Sequence, residues 1–226
     1  MNEDLQRRGR GWIEEADLSR YRGLSRSDLI ALLASADACE RTVAARLLPL
    51  DCDVTHILLE ALIHEPALYT RLAITAKLES GSEATARKMI PLLNNIGHNQ
   101  HRTPIAPSKK KSYPLPRDLI ARSLGRMSPD IFPLLLDSAE QLSPFPLREL
   151  IDALGFMAFY HPSVATEAHY QRLLSLKHTH RKDALIPWKM LICFSAFPQS
   201  KAVLLQETVF LAEAQRSLRL LDAKKD

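Results

Sequence analysis

The amino-acid sequence predicts an all-α fold in which antiparallel helix pairs stack into a right-handed superhelix, an α-solenoid. Three observations predict it. Apolar residues recur at helical spacing from Ser25 almost to the end of the chain. Ser128-Pro129 and Ser143-Pro144 each place a capping residue ahead of a first-turn proline. A sequence echo at a spacing of about 30 residues suggests that similar helical units follow one another. Composition agrees: 7 Gly, 14 Pro and 6% aromatics in 226 residues leave little material for the turns and strands of an all-β fold. The 46% hydrophobic content excludes wholesale disorder.

Residues 1–24 read as an N-terminal extension and residues 25–222 as the helical domain. Ser25 and Asp28 form a capping box ahead of a short helix through Leu29, Ile30, Leu32 and Leu33. Asp37 opens the next helix, with Val43, Ala44, Leu47 and Leu48 on one face, and Pro49 ends it. Asp53 to Glu65 carries the stripe Val54, Ile57, Leu58, Ala61 and Leu62. Pro66 suits the first turn of the following helix, which stops near Ser80-Gly81. Ser80 and Glu83 predict a second capping box, for a helix over 82–96 that Gly97 closes. The pattern then breaks at 97–116, a stretch with four prolines and no apolar period, long enough to be functional or mobile. Helices resume over Arg117–Met127 and then over about 129–142, 146–160, 163–176, 182–197 and 200–222, with His161-Pro162 marking one start. Roughly ten or eleven helices in about five pairs are expected, and no strand.

Arg117-Asp118-Leu119-Ile120 with Leu124-Gly125 is echoed by Arg148-Glu149-Leu150-Ile151 with Leu154-Gly155. Arg41 with Ala44-Ala45 is echoed by Arg71 with Ala73. Small residues at these points let neighbouring helices approach closely. The stretch Asp28 to Leu33, then Asp37, then Arg41-Thr42-Val43-Ala44-Ala45-Arg46-Leu47, resembles one unit of the HEAT-type repeat family. Such a unit has a leucine-bearing first helix, a turn aspartate and an Arg/Ala-rich second helix. The resemblance covers 25–222 and is closest in the first unit; later units lack the turn aspartate or add interior prolines such as Pro133 and Pro187. It implies stacked helix pairs; because solenoids expose large surfaces without built-in chemistry, a non-catalytic scaffold that presents a concave surface to another protein is the function expected.

The N-terminus MNEDLQRRGRGW is polar, and the most apolar stretch, Met190–Phe197, is far short of the roughly 20 residues of a membrane helix. A cytoplasmic protein without a membrane partner is expected. Cys39, Cys52 and Cys193 are odd in number and lack CxxC spacing, which fits reduced thiols acting as small core hydrophobes. The sequence holds no GxSxG, GxxxxGK[ST] or GxGxxG motif, so no cofactor is expected and enzyme activity has no motif behind it. His56, Glu60 and His64 follow at i, i+4 and i+8, but the outer pair spans about 12 Å along a helix and cannot share one ion. They read as a solvated helix face. His98 with His101, and His178 with His180, read as surface loop histidines, and no metal is expected.

Charge is the least random feature. The net charge is +4, yet residues 27–86 hold four basic and nine acidic side chains, a net −5. Residues 87–126 hold nine basic side chains and one acid, Asp118, a net +8. The basic patch at 97–126 is the predicted recognition element, with Arg102, Lys109, Lys110, Lys111, Tyr113, Arg117 and Arg122 as its main side chains. Such a patch suits an acidic protein surface. The alternatives are a solvated, mobile loop whose lysines keep it soluble, and nucleic acid, with Lys and Arg on phosphates and Tyr113 stacked on a base. HEAT-like solenoids include DNA glycosylases that act on alkylated purines, and the resemblance brings that activity into view. Their tryptophan and carboxylate site does not map onto this chain, whose only tryptophans are Trp12 and Trp188, with Asp183 five residues before the latter. A cleft joining Trp188 to a buried carboxylate would favour nucleic acid; a shallow surface would favour the scaffold.

Overall fold

A computed structural model describes residues 3–223 as fourteen α-helices joined by turns and short 3-10 segments, with no strand among them. The chain divides into two compact units, Met1–Met89 and Ile90–Asp226. Among the described residues no helix is long and apolar enough to cross a membrane.

The first unit contains α1 (Glu3–Arg8), α2 (Glu15–Ser19), α3 (Arg26–Leu32), α4 (Ala38–Leu47), α5 (Cys52–His64), α6 (Leu68–Glu79) and α7 (Glu83–Met89). Local chemistry sets the starts. Ser25 and Asp28 make the capping box of α3, and Asp37 caps α4 by accepting from the Cys39 amide at 2.8 Å. Asp51 caps α5 through the Val54 amide. Two predicted starts differ. Pro66 lies outside α6, because the Glu65 carboxylate accepts from the Ala67 amide at 2.8 Å and the helix begins after it. Ser80 closes α6 instead of opening a capping box, its hydroxyl donating to the Lys77 carbonyl at 2.7 Å.

The segment read as an extension is packed into this unit: Ile13 and Leu18 are buried against Cys39 and Val43. Helix α4 packs on α6 and α5 on α7, with the buried hydroxyls of Thr42 and Thr70 2.9 Å apart between α4 and α6.

The second unit opens with a 3-10 turn, Ile90–Leu92, followed by the irregular residues 97–116. Then come α8 (Leu119–Leu124), α9 (Phe132–Ala139), α10 (Pro144–Tyr160), α11 (Glu167–Thr179), α12 (Ile186–Phe194), α13 (Lys201–Leu205) and α14 (Leu211–Ala223). Pro133 and Pro187 sit in the first turns of α9 and α12, where a missing N–H is no loss, so they interrupt nothing. The single helix expected over 200–222 is two, because the Glu207 carboxylate accepts from the amides of Val209 and Phe210 and turns the chain. His161-Pro162 starts only a 3-10 turn; α11 begins later, capped by Thr166. Helix α10 is central, packing on α8, α9 and α12, while α12 also packs on α14. At Gly125 an added Cβ would stand 3.2 Å from the Phe156 ring and 3.3 Å from the Ala153 carbonyl, the close α8–α10 approach that the sequence echo implies.

Candidate functional site

Two side chains pin the basic loop. Tyr113 is buried, 4% exposed, in a cluster with Leu185, Trp188 and Ile192. Its ring lies edge-on to Phe156 at 6.1 Å and tilted to Phe159 at 5.5 Å. Gly155 on α10 makes the room: a Cβ there would overlap the Tyr113 hydroxyl and stand 2.9 Å from the Cys193 Cα. Burial holds the Tyr113 hydroxyl well above its ordinary pKa, and the hydroxyl has no hydrogen-bond partner among the described residues. The expectation that Tyr113 stacks on a base is therefore corrected, because its ring is spent in the core.

The second anchor is Arg216 of α14, 3% exposed. Its Nε donates to the Ser108 carbonyl and its Nη2 to the Ser112 carbonyl, both at 3.0 Å. One guanidinium thus holds both ends of the turn that exposes Lys109, Lys110 and Lys111. Arg102 and Arg117 are also exposed, and none of these five cations has an ion pair among the described residues. Arg122 is half-buried, and its Nε donates to the Pro116 carbonyl at 3.0 Å, supporting the end of the loop.

Beneath the loop lies a cluster that the sequence reading missed. Lys189 of α12 is fully buried, and its Nζ donates to Glu149 Oε1 at 3.0 Å and Asp152 Oδ2 at 2.9 Å. Both acids stand on α10, one turn apart. Burial opposes the charge on Lys189, but Asp152 and Glu149 more than offset it and hold the ammonium above its usual pKa. Burial pushes Glu149 up to about 7, with Asp152 and Asp118 adding repulsion, and raises Asp152 as well. Glu149 Oε2 is buried without a hydrogen-bond partner among the described residues. The available signal was a lone lysine in the mostly apolar run Ile186–Phe197 and two acids at i, i+3 on a helix whose only other charged residue is Arg148.

Two cavities adjoin this cluster. One, of about 220 Å³, is mostly apolar and is walled by Ile105, Pro107, Leu115, Trp188 and Ile192, and Asp152 also lines it. The other, of about 340 Å³, is polar and includes Asn94, Gln100, Arg102 and Glu149. His101 lines both, with its ring edge-on to Trp188 at 5.0 Å and its Nδ1 buried without a partner. Burial, helped by Lys189 and Arg117, pushes its pKa down to about 4. His101 is thus not the surface histidine expected, whereas His98 is exposed. Asp183 is engaged elsewhere. It pairs with Arg148 at 2.6 Å and accepts from the amides of Leu185 and Ile186 at the start of α12. Burial works against its charge, and these partners outweigh that and lower its pKa.

His56, Glu60 and His64 are exposed along α5, and among the described residues no three His, Cys, Asp or Glu side chains gather as a metal site. Cys39 and Cys193 are buried as expected, but Cys52 is exposed at the start of α5. No protein-family model, no curated protein and no solved structure matches the chain. The fold and the site by themselves define an all-α protein whose second unit carries a pinned cationic turn beside two cavities over a buried ion cluster.

Proposed function

We propose that this chain is a HEAT-like helical repeat scaffold, right-handed in its stacking, that binds an acidic protein segment through its second unit without catalysis. Within each unit, helices pack on their next-but-one neighbours, α4 on α6 and α5 on α7, then α8 on α10, α10 on α12 and α12 on α14. Stacked antiparallel pairs pack in this way, which supports the repeat reading.

The observation that carries the docking reading is the Arg216 clamp on Ser108 and Ser112. It fixes Lys109–Lys111 in place, so a partner that meets them orders little chain on binding. Beside that turn, Ile105 is 46% and Leu115 44% exposed at the apolar cavity. A segment with acidic residues around one apolar anchor side chain matches both features.

Trp188 and Asp152 on one cavity are the feature that suits a nucleic-acid base. Against it, the Tyr113 ring is in the core, Trp188 is 2% exposed with His101 against it, and Lys189 neutralises Asp152. Neither a stacking platform nor a free Asp152 carboxylate is left in this cavity.

Fluorescence anisotropy with two labelled probes tests the reading: a short polyglutamate peptide with one central leucine, and a single-stranded DNA of equal length. The peptide is expected to bind with a Kd of about 10–100 μM, and changing Lys109, Lys110 and Lys111 to Ala should weaken it about tenfold. DNA binding tighter than peptide binding, with log K falling with log salt by about 0.7 per phosphate contact, overturns the protein reading in favour of nucleic acid. Binding of neither probe removes the turn as a recognition element.

A further inference from the structure

We infer that the polar cavity beside residues 94–102 binds a small zwitterion, an ammonium and a carboxylate on one compact molecule, as in a free α-amino acid. The cavity, of about 340 Å³, lies within the size range of small-molecule sites. It is distinct from the apolar cavity of the docking reading and does not depend on that reading; the two share only the His101 wall.

Three features of the lining specify the ligand. Glu149 is 1% exposed, lines the cavity, and leaves its Oε2 without a hydrogen-bond partner. A buried, unsatisfied carboxylate oxygen is costly unless a donor meets it. The charge count also calls for a cation. Two carboxylates, Glu149 and Asp152, share the single ammonium of Lys189, so the cluster carries one uncompensated negative charge when both acids ionise. Arg117 acts on Asp152 but is not among the groups that act on Glu149, and the other charged groups near Glu149 do not supply the cation. Asp118, at the start of α8, is itself an acid, Arg148 is committed to Asp183, and His101 is neutral at physiological pH. A ligand ammonium on Glu149 Oε2 supplies both the donor and the missing charge.

The same cavity also has a cationic wall residue. Arg102 lines the same cavity, is exposed, and has no ion pair among the described residues, so its guanidinium is available for a carboxylate. A simple cation would meet the charge of Arg102, and a simple anion would face Glu149. Only a ligand bearing both signs satisfies both residues. Burial pushes Glu149 up to about 7, so near neutral pH a proton competes with the ligand ammonium for this carboxylate.

Isothermal titration calorimetry on the full chain tests this with glycine, alanine, leucine and glutamate, and with N-acetyl and carboxamide derivatives of whichever binds. At least one amino acid should bind with a Kd below about 1 mM, and blocking either end should weaken it about tenfold or more. Titrations at pH 7 in buffers of different ionisation enthalpy should report proton release on binding, and affinity should fall towards tenfold per pH unit well below pH 7. Glu149→Gln should weaken binding at least tenfold and abolish the proton release. If that variant does not fold, Arg102→Ala at its exposed position keeps the question open to test: it should weaken the free amino acid but not its carboxamide. Absence of binding by every amino acid at about 10 mM overturns the inference. So does an N-acetyl derivative or inorganic phosphate that binds as well as the free amino acid.

Discussion

At Gly155 the backbone of α10 stands against the Tyr113 hydroxyl, and only a residue without Cβ leaves that space. Gly155→Ala must therefore push the Tyr113 ring out of its cluster with Leu185, Trp188 and Ile192. Emptying a buried aromatic site costs about 3–5 kcal/mol when nothing refills it, so a loss of at least about 2 kcal/mol is expected from urea midpoints. The hydroxyl itself contributes nothing favourable, being buried and unpartnered. Tyr113→Phe keeps the ring and removes the orphan group, so it should leave stability unchanged or raise it by up to about 1 kcal/mol. A loss of more than that on Tyr113→Phe would mean that the hydroxyl has a partner and that the loop is anchored differently.

One guanidinium from α14 organises the loop more than the loop's own sequence does. Arg216→Lys keeps a cation beside Glu213 but cannot reach the carbonyls of Ser108 and Ser112 together, because lysine has no planar fork. The turn should then open, and trypsin should cut at Lys109–Lys111 about tenfold faster or more, while circular dichroism stays helical. Equal cleavage rates would show that the clamp does not hold the turn. This also explains what the sequence could reveal. Helix starts were legible at Ser25 and Asp37, where a side chain meets an amide two or three residues on. They were not legible where a second partner competes: Glu65 pairs with Arg41, 24 residues away, while also capping the Ala67 amide, and this leaves Pro66 outside the helix. The basic loop was visible as charge, but its clamp joins residues more than a hundred positions apart, which no local pattern encodes. The ion cluster was hidden for the same reason. Glu149 repeats the place of Asp118 in the sequence echo, yet Asp118 caps α8 while Glu149 faces Lys189 inside the core.

Over the molecule as a whole, pH dependence of stability follows from groups whose protonation differs between the folded and unfolded chain. His101 has a pKa of about 4 when folded against an ordinary 6.5. Between those values the unfolded chain binds more protons, so His101 makes stability rise with pH. Glu149 is at about 7 when folded against 4.5. Between those values the folded chain holds the extra proton, so Glu149 makes stability fall as pH rises. The two windows overlap from about 4.5 to 6.5, where the slopes oppose and largely cancel. Asp152 and Glu213, raised chiefly by burial, add to the fall above the ordinary carboxylate range. Asp17, Asp51, Asp183 and Glu207 are lowered, so their contribution is lost only as pH falls through their folded values below that range. The intact protein should show a shallow stability profile across the overlap and a decline above it. His101→Asn removes the rising contribution, so unfolding free energy should drop by about 3 kcal/mol between pH 4.5 and 7. Glu149→Gln removes the falling one, so stability should climb between pH 4 and 6.5, by somewhat less because His101 is only partly buried. Urea unfolding of the three proteins over that pH series measures both slopes. If His101→Asn keeps the shallow profile of the intact chain, the two side chains do not oppose each other in this way.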